Sequence, residues 1–306
     1  MKLDINGLIA AAFSPFHPNG SLNLNVIPKL VDKLIKDGIT GFYLLGSTGE
    51  GLSLTVRQRM TVTEAYINAV ARRVPVIVNV SHTSYEESHE LTIHAVEKGA
   101  DAISATLPTY YGISSLGQLI SAVSKIANCQ NKIPFIYYHI PGKTGLNFKM
   151  HSFLEHVGDL IPQLKGIKYT AASIDDFMIC KQRYGNRYKM FFGVDELFLP
   201  GLAIGADSFI GSTYNFMGRY YRDLLEKYNM NDKEQTEEAY YKIVQIINTF
   251  LEYDGLSAQK GIMTMTGHDF GGTRSPVVSL TNQEYLSLQD NLKKINYFEY
   301  MHTTKS

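Results

Sequence analysis

Short apolar segments rich in β-branched and aromatic residues recur along the chain, and this recurrence most constrains the fold. Eight of them are evident, at residues 8–13, 41–45, 74–80, 102–105, 134–140, 164–169, 190–193 and 208–212. Most are continuously apolar, which is typical of parallel strands covered on both faces. Their spacing is roughly 30 residues, the length of a strand with its crossover helix. The pattern predicts a parallel α/β fold.

The segments between the predicted strands carry helical spacing. One stripe is formed by residues three and four apart, Ile27, Leu30, Val31, Leu34 and Ile35. Pro28 lies in the first turn of this helix and Gly38 ends it. Ser84 and Glu87 predict a capping box, and Gly99 closes that helix. Eight βα steps favour a closed (β/α)₈ TIM barrel, although periodicity alone also allows a doubly wound open sheet.

The last part of the sequence has a different pattern. No further strand is evident after about residue 230, and residues 232–253, 256–266 and 281–301 have helical spacing. No Gly/Ser-rich linker precedes them. We therefore expect a catalytic barrel at residues 1–230 and a helical extension packed on it at residues 231–306.

Charge and cysteine content narrow the class of function. The 306 residues include 29 basic and 29 acidic ones, so no net charge favours nucleic acid or an anionic membrane. Cys129 and Cys180 give neither a disulfide framework nor a zinc spacing, which indicates a cytoplasmic setting. The amino-terminal residues 1–16 are interpreted as a first strand rather than a signal peptide, and no apolar run is long enough to span a membrane. A small-molecule partner is expected.

Candidate functional residues should lie where the predicted strands end, because active sites of barrels form there. The sequence GSTGEG at residues 46–51 follows the second strand, and its glycines expose backbone N–H groups beside the hydroxyls of Ser47 and Thr48. That combination suits a carboxylate or phosphate. A flexible strand-to-helix turn is the alternative. A nucleotide P-loop is excluded because no Gly-Lys-Ser/Thr follows.

Lys168 lies near the end of the sixth predicted strand, between Ile167 and Tyr169. A structural ion pair in the barrel mouth is one interpretation of a lysine there. The other is chemical, because desolvation lowers the pKa of a lysine and only the neutral amine attacks a ketone carbonyl. At an ordinary pKa of about 10.4, roughly one lysine in a thousand is neutral at about pH 7.4.

Polar residues also end other strands. Tyr138 in the sequence YYHIP can shuttle protons or serve only in packing. Asp195 and Glu196 follow the seventh strand, where they can grip a polyol or cap a helix, and hydroxyls including that of Ser212 follow the eighth. The nine histidines show no accepted ligand spacing, so we predict no catalytic metal.

Taken in order, the sequences GSTGEG, TYYG, YYHIP, GIKYT, FGVDE and GSTYNFMG resemble the dihydrodipicolinate synthase and N-acetylneuraminate lyase superfamily. The resemblance covers nearly the whole chain. It implies a class I aldolase on a (β/α)₈ barrel, commonly a homotetramer, that needs no cofactor because a lysine forms a Schiff base with the substrate.

The resemblance also implies roles for individual residues. Lys168 forms the Schiff base with pyruvate, and Tyr138 donates and accepts protons. Ser47 and Thr48 hold the substrate carboxylate. Tyr111, in the TYYG sequence, is similar to a residue that family members insert into the active site of a neighbouring subunit.

Smaller features favour the lyase branch of the superfamily. The synthases carry an arginine shortly after the catalytic tyrosine, whereas this chain reads PGKTG, in which Lys143 lacks the planar fork of arginine. The lyase-like residues implied to contact the sugar are Thr170, Gly193, Asp195, Glu196 and Ser212. Ala171 replaces the family's serine, which puts any contact of that serine in doubt.

The expected reaction is reversible cleavage of N-acetylneuraminate to pyruvate and N-acetylmannosamine. The alternatives within the enzyme class are a dihydrodipicolinate synthase and an aldolase acting on 2-keto-3-deoxy sugar acids. A catalytically inactive sugar-acid sensor is a third possibility. Retention of both Lys168 and Tyr138 argues against the sensor, because a binding protein needs neither a nucleophile nor a proton shuttle.

Overall fold

The eight apolar runs pair into one parallel sheet, because helices on one side and the barrel interior on the other remove both faces from water. The computed structural model describes residues 3–130 and 132–302. Its strands are β1 (Gly7–Ala11), β2 (Gly41–Leu44), β3 (Val76–Asn79), β4 (Ala102–Ala105), β5 (Phe135–His139), β6 (Leu164–Tyr169), β7 (Lys189–Phe192) and β8 (Ser208–Gly211). They hydrogen-bond in sequence order, and β1 pairs with β8. The predicted closed barrel is confirmed, and an open sheet is excluded.

Helices follow the strands and surround the barrel. They are α1 (Ile27–Lys36), α2 (Val56–Val70), α3 (Tyr85–Lys98), α4 (Leu116–Ala127), α5 (Pro141–Thr144), α6 (Met150–Val157), α7 (Ile174–Tyr184), α8 (Phe198–Ala203) and α9 (Tyr214–Asn229), followed by α10 (Lys233–Leu251), α11 (Gly255–Met265), α12 (Asn282–Lys294) and α13 (Tyr297–His302). One-turn 3-10 helices are formed by Leu24–Val26, Gly51–Ser53 and Asp195–Leu197. None of the helices in the described ranges is long and apolar enough to cross a membrane.

Alternation along the strands separates two apolar clusters. Ile167 and Tyr169 of β6 belong to the large cluster between the strands and the helices. Tyr43 of β2 and Tyr138 of β5 belong to the smaller cluster inside the barrel. Successive side chains of a strand point to opposite faces, so Lys168, between Ile167 and Tyr169, points into the barrel.

The predicted ends of α1 and α3 are confirmed. Pro28 lies in the first turn of α1, and Gly38 and Gly99 adopt the left-handed conformation, with φ of 93° and 90°, just after their helices. The prediction of a capping box at Ser84 was wrong. Its hydroxyl accepts from the N–H of Glu87, at 3.4 Å, but its own N–H donates to His82 Nδ1 at 3.1 Å instead of to the Glu87 carboxylate.

Four helices follow the barrel helix α9. The predicted single helix at residues 281–301 is instead two helices, α12 and α13, because Asn296 between them adopts a left-handed φ of 57°. The Tyr297 hydroxyl donates to the Phe216 carbonyl at 2.9 Å, which ties α13 to α9. The proposed division of the chain into residues 1–230 and 231–306 stays a prediction.

Candidate active site

Lys168 is 4% exposed, and its nitrogen lies between two aromatic rings. The Lys168 Nζ is 3.9 Å from the centre of the Tyr43 ring and 4.0 Å from that of Tyr138. Register places Tyr138 directly beside Lys168 on the neighbouring strand. Within the described residues Lys168 forms no salt bridge. Burial lowers the pKa of Lys168, an effect opposed by Tyr138 and by the more distant Asp195.

The loop after β2 carries Ser47 and Thr48 at the carboxyl end of the barrel. Ser47 is exposed and Thr48 is half-buried, so both can reach a ligand in the mouth. The loop folds tightly back on the end of β2, since a Cβ at Gly51 would lie 2.0 Å from the Leu45 carbonyl oxygen. Leu45 has a left-handed φ of 60°, and backbone strain of this kind often occurs at binding sites.

Glu50 anchors this loop to the C-terminal helical region. Its carboxylate forms a buried ion pair with Lys260 of α11, at 2.6 Å, and accepts the N–H of Arg274 at 2.6 Å. The residues that hold the hydroxyl-bearing loop in place therefore come partly from the C-terminal helical region.

Asp195 is buried at the end of β7, where the sequence left a sugar contact and a helix cap as alternatives. Its Oδ2 accepts the Thr213 N–H at 3.0 Å and the Thr213 hydroxyl at 2.7 Å, across the gap to β8. Its Oδ1 is buried and has no hydrogen-bond partner within residues 3–130 and 132–302. Burial raises the pKa of Asp195. Only a glycine fits beside this carboxylate, since a Cβ at Gly211 would lie 1.9 Å from Oδ1.

The other predicted sugar contacts surround the same end of the barrel. Gly193 lies against Thr170, since a Cβ there would lie 2.3 Å from the Thr170 hydroxyl, which is buried and unpaired. Glu196 is exposed, and its carbonyl accepts the Tyr240 hydroxyl of α10 at 2.6 Å. Ser212 is half-buried. Asp195 Oδ1 and Thr170 Oγ1 are thus two buried oxygens with no hydrogen-bond partner among the described residues.

Tyr111 lies outside this constellation within one chain. It is 96% exposed on the loop between β4 and α4, and its ring packs on that of Tyr110, with centroids 5.0 Å apart. A side chain so exposed does not contact the buried Lys168 of its own chain.

Sequence reasoning missed Tyr43, although its hydroxyl was visible as the polar group of a strand of otherwise apolar residues, Gly41–Leu44. The hydroxyl cluster after the eighth strand included Thr213, but its bond to Asp195 was not predicted. The sequence offers no local signal for the pairing of Glu50 with Lys260. No cluster of three or more His, Cys, Asp or Glu able to hold a metal ion occurs in residues 3–130 and 132–302.

Comparison with known proteins places the chain in a family. Residues 4–295 match the dihydrodipicolinate synthetase family. The N-acetylneuraminate lyases of Rattus norvegicus and Homo sapiens are each 33% identical over 304 residues, which cover 98% of this chain and 95% of theirs. The structure of the Proteus mirabilis N-acetylneuraminate lyase superimposes with a TM-score of 0.92 at 34% identity, covering 97% of this chain and 100% of that one. The chain therefore belongs to the dihydrodipicolinate synthetase family.

Proposed function

We propose that this chain is a carbon–carbon lyase that cleaves N-acetylneuraminate reversibly to pyruvate and N-acetylmannosamine through a Schiff base on Lys168. The observation that carries the proposal is a buried lysine that has no ionic partner among the described residues, beside Tyr138 at the end of the barrel where polar loops converge. Similarity to relatives named N-acetylneuraminate lyase supports the choice of substrate.

The first step forms the covalent bond. Burial lowers the pKa of Lys168, so that more of it is the neutral amine that attacks the ketone carbon of the substrate. A nitrogen–carbon bond forms, the carbon–oxygen bond breaks, and the oxygen leaves as water with one proton from the amine and one from Tyr138. Ser47 and Thr48 hold the substrate carboxylate during this step, which fixes the ketone against the nitrogen.

The second step breaks the carbon–carbon bond. The Tyr138 oxygen takes the proton of the C4 hydroxyl, and the electron pair of the C3–C4 bond moves to the positively charged nitrogen. This gives an enamine and the aldehyde of N-acetylmannosamine. Tyr138 then returns the proton to C3, and water releases pyruvate. The iminium nitrogen is the electron sink, so this chemistry needs neither a metal nor an organic cofactor.

The polyol tail of the sugar is assigned to the residues after β6, β7 and β8. Asp195 Oδ1 and the Thr170 hydroxyl are buried without partners, so sugar hydroxyls that reach them would satisfy both. Gly193, Glu196 and Ser212 complete this proposed surface.

We further propose that the working assembly is a cytoplasmic homotetramer. Both cysteines are free, which fits a reducing compartment. Tyr111 would enter the site of a neighbouring subunit, and its 96% exposure leaves it available for this.

One assay tests substrate and reaction together. N-acetylneuraminate is incubated with the protein, and released pyruvate is followed with lactate dehydrogenase. Borohydride with pyruvate should add a stable mass to the peptide containing Lys168. Lys165 is a matched control on the same strand, since its Nζ donates to the Pro162 carbonyl at 2.6 Å on the exposed surface. Label on Lys165, or pyruvate release by a Lys168→Ala protein, would overturn the assignment.

The subunit role of Tyr111 has its own test. Alone, the Tyr111→Phe protein should be weakly active, and the Lys168→Ala protein should show no activity above background. Mixed assemblies should regain activity after subunit exchange, because one subunit supplies Tyr111 to the intact Lys168 of another. No recovery despite verified exchange would assign Tyr111 to its own subunit or to packing.

A further inference from the structure

Tyr43 presents its ring face to the Lys168 nitrogen, and none of the sequence motifs assigns it a role. The Tyr43 and Tyr138 rings meet nearly edge to face, with centroids 5.8 Å apart and planes at 76°. The Lys168 Nζ lies within 4.0 Å of both ring centres. Such distances are well inside the range of about 6 Å over which a cation is attracted by an aromatic face. We call Tyr43 and Tyr138 the aromatic pair.

The hydroxyl of Tyr43 is already engaged away from Lys168. It accepts from the Asn79 side-chain amide at 2.9 Å and donates to the Ser104 hydroxyl at 3.1 Å. Burial raises the pKa of the Tyr43 phenol, so it remains protonated. The oxygen of Tyr43 is therefore not a proton shuttle, and what it offers Lys168 is its ring.

The ring of Tyr43 is also fixed in position. A Cβ at Gly46 would lie 2.6 Å from Tyr43 Cε1, so the start of the GSTGEG loop packs directly on the ring edge. The ring thus lies between the loop proposed to hold the substrate carboxylate and the nitrogen proposed to attack the ketone. Hydrogen bonds at one end and the loop at the other prevent it from turning away.

We propose that Tyr43 is a catalytic residue whose ring face, together with that of Tyr138, stabilises the positive charge of the Lys168 nitrogen in its ammonium and iminium states. This inference rests on the Schiff-base function proposed above. One neutral amine, one ketone and one proton give one iminium ion and one water molecule, so a buried neutral nitrogen becomes a buried cation. Burial without compensation would oppose that step.

Aromatic rings suit this task better than a carboxylate would. A buried carboxylate in contact with Nζ would hold the lysine as ammonium and suppress the nucleophile. An aromatic face favours a desolvated cation over the neutral amine by about thirtyfold in the protonation equilibrium. This preference is weaker than that of a contacting carboxylate, so the neutral amine remains accessible. The groups that face Lys168 are Tyr43 from β2, Tyr138 from β5 and, farther away, Asp195 after β7.

The test varies the electron density of the ring while keeping its shape. In the Tyr43→Phe background, phenylalanine carrying one, two or three ring fluorines is placed at position 43. Pyruvate is titrated into each protein, and the iminium is trapped with borohydride and quantified by mass. Above the pH at which Lys168 loses its proton, three fluorines should raise the pyruvate concentration for half-maximal trapping by about tenfold to thirtyfold.

The pH dependence supplies a second readout that a packing role would not move. Each fluorine should lower the pKa of Lys168, because the attraction between its ammonium group and the ring at position 43 becomes weaker. At pH values below that point the variants should converge, since the nitrogen is then a cation both before and after condensation. Tyr43→Leu, which removes the ring altogether, should show the full effect if it folds.

The matched control is the same fluorine series at Tyr137. That ring belongs to the adjacent residue of β5 but packs outside the barrel on Phe153, with centroids 5.4 Å apart. Its fluorination should change neither readout. If trapping on Lys168 is constant across the position 43 series, the proposed role of the Tyr43 ring is overturned, while the Schiff-base function is not. No pyruvate label on Lys168 in the unaltered protein would overturn the Schiff-base function itself.

Discussion

Two lysines in the described part of the chain are almost fully buried, and their surroundings differ. Lys168 is 4% exposed and Lys260 is 2% exposed. Burial lowers the pKa of both. Lys260 contacts the Glu50 carboxylate at 2.6 Å and donates to the Gly272 carbonyl at 2.7 Å. Lys168 has no such partner among the described residues and lies against the aromatic pair.

The difference teaches that burial alone does not make a lysine a nucleophile. Deprotonating Lys260 would leave the Glu50 carboxylate buried without its cation, which is costly in a medium of low polarity. Deprotonating Lys168 leaves no contacting anion without its counter-charge. The same side chain is therefore a structural tie in one place and a candidate catalyst in the other, and the partner decides which.

The largest expected effect comes from replacing Lys168. Lys168→Met should reduce N-acetylneuraminate cleavage to background, because the covalent route is lost. Stability should be unchanged or greater, since a buried cationizable group without an ionic partner is exchanged for an apolar one of similar size. Coupled pyruvate assays and urea unfolding measure the two quantities. Substantial remaining activity would show that Lys168 is not the catalytic lysine.

Replacing Lys260 should have the opposite profile. Lys260→Met should lower the free energy of unfolding by about 3 to 5 kcal/mol, because the Glu50 carboxylate is left buried without a contacting cation. Borohydride trapping of pyruvate on Lys168 should persist in the protein that remains folded. The paired change Glu50→Gln with Lys260→Met should recover part of the loss in a double-mutant cycle. Additive single effects would show that the two groups do not act as a pair.

Asp195 sharpens the comparison, because it is a buried carboxylate that influences Lys168 without forming a contact ion pair with it. Asp195→Asn should lower kcat/KM for N-acetylneuraminate by about tenfold to hundredfold, the effect of losing a charge-assisted hydrogen bond of about 1.5 to 3 kcal/mol. Trapping of pyruvate alone should change little, since pyruvate has no polyol tail. An unchanged kcat/KM would remove Asp195 from the sugar site.

The smallest effect is a pH dependence of stability. The folded-state pKa of Lys168 lies below its unfolded value of 10.5, so between the two the unfolded chain binds the extra proton. The contribution of Lys168 is therefore most favourable above pH 10.5 and is lost as the pH falls through the folded pKa. Relative to Lys168→Met, the free energy of unfolding should rise with pH inside this window, by at most about 1.4 kcal/mol per pH unit. A flat difference would mean that Lys168 is not depressed in the folded protein.

The sequence was informative wherever function follows from position along one strand. Lys168 and Tyr138 were recognised as strand-end residues, and their alignment in the barrel follows from register. The closed barrel followed from eight βα steps. The capping box at Ser84 failed because His82 offers the Ser84 N–H a competing acceptor, a choice that the Ser-x-x-Glu spacing does not encode.

By itself, then, the amino-acid sequence determined the order of strands and helices, the family and the residues that end the strands, since these depend on periodicity and local chemistry. Only the tertiary structure decided which partner each buried charge received. Glu50 reaches Lys260 and the backbone of Arg274, and Tyr43 reaches Lys168, because barrel closure brings distant segments together. The free energy of a buried ionizable group depends on what lies within a few ångströms of it, and that distance is fixed only when the chain is folded.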